Sequence, residues 1–164
     1  MNLAALQHLA RAAQVLADDR QIVVIGSASL LASFPELGAD GGLLATTFDG
    51  DLCFRPFDEA TGNILNEALC EAGAFHLRYG YYADIVRPEI LDILPAGWDV
   101  RLRPVPGLEN AVALDPHDLA IAKLFAGRPK DLNLIRALLA TGRLEAQRVT
   151  ERLRCMKWMT GCGH

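Results

Sequence analysis

The 164-residue chain lacks any apolar run long enough to cross a membrane. Its longest uncharged stretch, Gln21 to Pro35 (QIVVIGSASLLASFP), is interrupted by hydroxyl and amide side chains and falls short of the roughly 20 apolar residues that a span requires. A cysteine framework is also missing. Cys53, Cys70, Cys155 and Cys162 sit at unrelated spacings in a chain large enough to fold without staples, which implies reduced thiols and a cytoplasmic setting. Cys155, Cys162 and His164 offer at most half of a zinc site, and a frayed terminus describes the same residues. Neither G-x-x-x-x-G-K-[ST] nor G-x-G-x-x-G occurs, which disfavours P-loop and dinucleotide-binding readings. No excess of basic residues marks a nucleic-acid coat, since the net charge is -4.

What is present suffices for one compact domain. The composition is 51% apolar with mean hydropathy +0.18, which supplies a core and excludes intrinsic disorder. The opening MNLAALQHLARAAQVLADDR places apolar residues at 3, 6, 9, 13 and 16 and reads as an amphipathic helix rather than a signal peptide. Charge is unevenly spread: residues 1 to 122 carry a net -10 and residues 123 to 164 a net +6. Either the terminal helices expose solvated basic faces, or a basic region lies beside an acidic site and steers a phosphate-rich acceptor such as RNA.

Short β-branched runs alternate with helical patterns. Gln21 to Ile25 reads as a strand that ends at Gly26, and Ser27 to Phe34 as the helix after it. A further strand is expected at Asp51 to Phe54, a helix capped by Asp58, and one bent strand or a hairpin over Phe75 to Val86. A meander rich in proline and glycine leaves short strands near residues 100–105 and 111–114. Asp115-Pro116-His117-Asp118 is a strong helix start, and helices follow over 116–126, 129–140 and 144–157. The expected class is α/β or α+β, a mixed sheet flanked by helices. Residues 1–114 form its core, and residues 115–164 a helical C-terminal part packed on the same domain.

Four groups of residues could carry chemistry. Asp49 and Asp51 flank Gly50, and side chains two apart on an extended chain share a face, so the pair can hold Mg2+ or Mn2+. An exposed turn has the same composition. Gly26-Ser27 follows a strand and opens a helix, where backbone amides and a hydroxyl can take phosphate; a serine N-cap after a glycine turn is the plainer alternative. Asp84 interrupts the aromatic stretch YYADIV and is the best third carboxylate, unless the strand ends at Ala83. Lys123, Arg128, Lys130 and Asp131 crowd a helix junction, where cations can bind triphosphate oxygens with Asp131 orienting a lysine; alternatively Lys130 and Asp131 are a surface pair.

The blocks IVVIGSASLLASFP, TTFDGDLCF, EALCEAGAFHLRYGYYADIVRPE, LPAGWDVRL and LDPHDLAIAKLFAGRPKD resemble a bacterial nucleotidyltransferase-like family of unassigned function. That family is in turn similar to the AbiEii-type toxins and the minimal nucleotidyltransferases of the polymerase-beta-like superfamily. The resemblance covers about residues 20 to 140, and its last block is the most specific. It implies Gly26 and Ser27 at the nucleotide phosphates, Asp49, Asp51 and Asp84 at Mg2+, and Lys123 with the Lys130-Asp131 pair near the triphosphate. It further implies an NTP substrate, an RNA 3′ end or a protein as acceptor, and a cognate antitoxin as partner. The 21 residues 28 to 48 between Ser27 and Asp49 exceed the compact spacing of minimal nucleotidyltransferases. A catalytically degenerate module that keeps the fold and binds nucleotide or protein is the competing expectation.

Overall fold

The computed structural model describes residues 1–156. It holds a five-stranded mixed sheet in the order β3-β2-β1-β5-β4. β1 (Gln21–Val24) is the central strand and is buried along almost its whole length. It pairs antiparallel with β2 (Asp49–Arg55) and parallel with β5 (Ala111–Ala113), while β3 (Tyr82–Ile85) runs parallel to β2 and β4 (Arg103–Pro104) antiparallel to β5. The expected fold class, a mixed sheet flanked by helices with further helices at the C-terminal side, is the one observed.

Helix α1 (Leu3–Leu16) starts where the Asn2 side chain accepts a hydrogen bond from the Ala5 amide at 2.9 Å. It buries Leu6, Leu9, Ala10 and Ala13, the helical stripe visible in the sequence. α2 (Glu59–Leu69) is capped by Asp58, which accepts from the Thr61 amide at 2.8 Å. α4 (Pro116–Ala126) is capped by Asp115 through the His117 amide at 2.9 Å and stopped by Gly127, whose φ of +63° suits a left-handed C-cap. α5 (Pro129–Ala140) and α6 (Ala146–Arg154) complete the helical part, with α5 and α6 both packed on α4.

Two local expectations are corrected. The helix expected over Ser27 to Phe34 is present but ends at Ala32 and is of 3-10 type, with Gly26 at the N-cap position and no side chain closing it. The stretch Phe75 to Val86 is not one bent strand or a hairpin: Ala74–Tyr79 is helix α3, and only Tyr82–Ile85 is strand. Gly80, at φ +80°, is the left-handed C-cap of that helix, and its amide bonds the His76 carbonyl at 2.8 Å. Phe75, Tyr79 and Tyr81 then gather around His8 of α1, whose Nδ1 lies 2.6 Å from the Tyr81 hydroxyl. This aromatic packing overrides the strand preference of the residues that make it.

No helix among the described residues is long and apolar enough to cross a membrane. Cys53, Cys70 and Cys155 are free thiols, while Cys162 and His164 of the half zinc site lie outside the described residues.

Candidate active site

Strand alternation builds the centre of the site. On β2, Gly50 turns inward, where a Cβ would stand 2.9 Å from a methyl of Leu9 on α1, and Asp49 and Asp51 turn to the other face. The parallel register sets Asp51 opposite Asp84 and Asp49 opposite Tyr82. Asp84 is therefore a strand residue, not the start of a turn. Each of Asp49, Asp51 and Asp84 offers a carboxylate oxygen, and these oxygens all lie within 4.8 Å of one another.

Next to β2, the chain leaves β1 through Ile25, whose amide bonds the Asp51 carbonyl at 3.0 Å. This brings Gly26 against the Asp51 side chain: a Cβ at residue 26 would lie 1.8 Å from Asp51 Oδ2. Glycine is required there to make room for the carboxylate, a steric reason distinct from any left-handed turn.

The opposite wall comes from the junction of α4 and α5. Lys123 and Asp131 are both buried, at 8% and 2% exposure, and Lys123 Nζ donates to Asp131 Oδ1 at 2.8 Å. Arg128 Nε donates to the other oxygen, Oδ2, at 2.6 Å. Asp131 thus pairs with Lys123 and Arg128 rather than with its neighbour Lys130, which is exposed. One cavity of about 580 Å3 is lined by Ser27, Asp49, Asp51, Asp84, Lys123, Arg128, Lys130 and Asp131. Gly26 does not line it. It borders an adjoining cavity of about 470 Å3 that shares Asp51, Lys123 and Arg128 with the first.

Electrostatics distinguish the two walls. Burial pushes the Asp51 carboxyl up from its ordinary value, and the charges of Asp49 and Asp84 push it further, against the pull of Lys123 and Arg128. Asp84 is raised in the same way, by burial and then by Asp49 and Glu71. Asp131 behaves oppositely: burial works against its charge, but the hydrogen bonds from Arg128 and Lys123 outweigh it and hold the carboxyl below its ordinary range. A carboxylate cluster in which Asp51 and Asp84 are raised, facing fixed cations, is a region short of positive charge at its centre, and oxygen donors of this kind suit a hard divalent cation.

Some residues in and beside the site escaped sequence reasoning. Thr46 and Thr47, immediately before Phe48 and Asp49, line the polar cavity together with Leu43 and Leu44. They come from the long segment between Ser27 and Asp49, so the extra length forms a wall of the site. Tyr82, two residues before Asp84 on the same strand face, has its phenol pushed up by burial and then by the charges of Glu71, Asp49, Asp84 and Asp51. Its period-two spacing from Asp84 was the available signal.

A sheet that sets an acidic pair on one strand beside a third acid on its neighbour, opposite cations from a helical part, has the character of a nucleotidyltransferase-like protein. The chain belongs to the family described as nucleotidyltransferase of unknown function (DUF6036), whose model matches residues 1–161. No curated protein and no solved structure matches the chain.

Proposed function

We propose that the protein transfers a nucleoside monophosphate from an NTP to an acceptor hydroxyl, with Asp49, Asp51 and Asp84 holding Mg2+ or Mn2+. The observation that carries this reading is the convergence of all three carboxylates and of Lys123, Arg128 and Lys130 on one cavity. The donor set fits the metal, because three carboxylates within bridging reach, two of them raised by burial and then by the charges of neighbouring acids, gain most from a divalent cation. Divalent ions bound there supply neutralisation of the charge that develops on the transferring phosphoryl group.

The remaining work belongs to the chain. The acceptor oxygen forms a bond to the α-phosphorus as the bond to the bridging oxygen breaks, and pyrophosphate leaves with that electron pair. Asp84, the most exposed of the three acids, takes the acceptor proton. Ser27, Lys123, Arg128 and Lys130 hold the triphosphate and stabilise the departing pyrophosphate, while Asp131 keeps Lys123 and Arg128 in place. The LDPHDLAIAKLFAGRPKD block resembles the nucleotidyltransferase-like family, and it is that family's distant likeness to the AbiEii-type toxins that suggests an RNA 3′ end or a protein as acceptor and a cognate antitoxin as partner.

The test is transfer of label from each of the four α-labelled NTPs to bulk RNA and to cell protein, with and without Mg2+. Metal-dependent incorporation that disappears in Asp51→Asn is the expected result. NTP binding without incorporation into either acceptor pool overturns turnover and leaves the degenerate, nucleotide-binding module.

A further inference from the structure

The two cavities that meet at Asp51, Lys123 and Arg128 differ in chemistry. The polar one carries the carboxylates and cations described above. The other lies beyond the ends of β1, β3 and β5, at Ile25, Val86 and Leu114, between α4 and the 3-10 helix Pro88–Ile93. Apart from the three shared residues at its inner end, no described residue lining it has a polar side chain. Ile90 and Ile93 remain 45% and 38% exposed along it, large apolar side chains that the fold itself does not bury.

The assignment of these spaces follows from the reaction and rests on the proposed nucleotidyl transfer. A triphosphate carries several negative charges and needs the cations of the polar cavity. Asp84 opens on the polar cavity and not on the apolar one, so the acceptor hydroxyl reaches the α-phosphate from the polar side. The nucleoside, joined to that same phosphate at Asp51, is left the apolar side. Gly26 lines that side and leaves the Asp51 carboxylate accessible from it.

We infer that the apolar cavity holds the nucleoside of the NTP and grips its base by shape and apolar contact, with no side chain of its apolar wall to read the hydrogen-bonding edge. Strong rejection of one base in favour of another requires buried donors or acceptors that the wrong base leaves unpaired, whereas an apolar wall separates ligands by size alone. Adenine and guanine are similar in size and differ mainly in their polar groups. The protein therefore uses ATP and GTP with similar efficiency, and purines modestly better than pyrimidines, because the larger ring buries more apolar surface.

The experiment is calorimetry of the full chain in Mg2+ with ATP, GTP, CTP, UTP and inorganic tripolyphosphate, repeated on Ala126→Trp, which fills the apolar cavity from the end of α4. ATP and GTP are expected to bind within about tenfold of each other. In the variant both weaken by about tenfold or more while tripolyphosphate binds as before. Ile90→Trp, on the facing wall, serves as the second variant if Ala126→Trp fails to fold. A preference between ATP and GTP of about a hundredfold or more, or NTP binding that neither tryptophan affects, overturns the inference and leaves the transferase reading intact. Wild-type protein that binds neither NTP nor tripolyphosphate overturns the transferase reading itself, and this inference with it.

Discussion

Gly26 and Asp51 are coupled by sterics alone. Because a Cβ at residue 26 would overlap Asp51 Oδ2, Gly26→Ala must swing the carboxylate out of the cluster. The obstacle is the whole short Asp51 side chain, with Cγ at 2.8 Å and Cβ at 3.0 Å as well as Oδ2, so rotation of the carboxylate alone does not relieve it and the neighbouring backbone must give as well. The expected outcome is a loss of Mn2+ affinity of about tenfold or more, as for removal of a metal site's positioning shell, together with a lowered melting temperature. Calorimetry and thermal melting on the same sample check both. Unchanged Mn2+ affinity would show that Asp51 takes no part in binding. The charges themselves predict a second effect. Asp51 and Asp84 have folded pKa values raised above the ordinary carboxylate value, so the native state binds more protons than the unfolded one. Metal-free stability then falls as pH rises from the ordinary value through the folded one. Asp49→Asn plus Asp51→Asn is expected to flatten that slope and raise the neutral-pH melting temperature by about 2–4 °C for each kcal/mol of repulsion removed. A lower melting temperature in the double variant would make the carboxylates structural. At this scale the sequence was informative, since the period of two alone put Asp49 and Asp51 on one face. The need for Gly26 was not legible, because it arises from a contact between strands and not from a turn.

Among the elements, the junction of α4 and α5 places a buried ion pair on the wall of the carboxylate cavity. Lys123 is buried, and Asp131 is its partner. Removing one member of a buried pair leaves an uncompensated charge, so Asp131→Asn is expected to cost about 3–5 kcal/mol in chemical denaturation. Lys123→Met combined with Asp131→Leu is expected to recover most of that loss, because neither charge then remains buried. The pH dependence has the sign opposite to that of the carboxylate cluster. Asp131 has a lowered folded pKa, so its stabilisation is present above the ordinary carboxylate value and is lost as pH falls through the folded one. A double variant no more stable than Asp131→Asn would show that the cost lies in packing rather than charge. Most elements here were legible from caps: Asp58, Asp115 with Pro116, and Gly127 all stand at helix ends. The α3 segment was not. Its residues favour strand locally, and the deciding contacts, around His8, lie more than 60 positions away in the chain.

For the whole molecule, the charge asymmetry of the sequence divides between two places: Lys123, Arg128 and Lys130 line the carboxylate cavity, while Arg148 and Arg152 do not. Arg152 does not face the carboxylate cavity. It lies against Asp118, which is fully buried and also receives two hydrogen bonds from Arg101, at 2.8 and 2.9 Å. Arg148 pairs with Glu145 and lines a separate cavity of about 590 Å3 with Arg103, His117 and Arg143. That cavity shares no residue with the carboxylate site. The sequence could count these charges but could not show that a buried acid on α4 consumes one of them. A share of the basic excess thus compensates an acid in the core and fastens α6 to α4. Arg101→Ala is accordingly expected to cost about 3–5 kcal/mol, since it strips Asp118 of both its hydrogen bonds, and Arg152→Ala less, about 1–3 kcal/mol, since those bonds survive. Denaturant titration of the two variants checks the order. Arg148→Glu combined with Arg154→Glu should leave NTP affinity within about twofold of wild type at physiological salt, because exposed charges that do not adjoin the site are largely screened. If that pair of substitutions instead weakens NTP binding strongly and in a salt-dependent way, the C-terminal cations reach the site after all, and a phosphodiester acceptor steered by α6 becomes the better account.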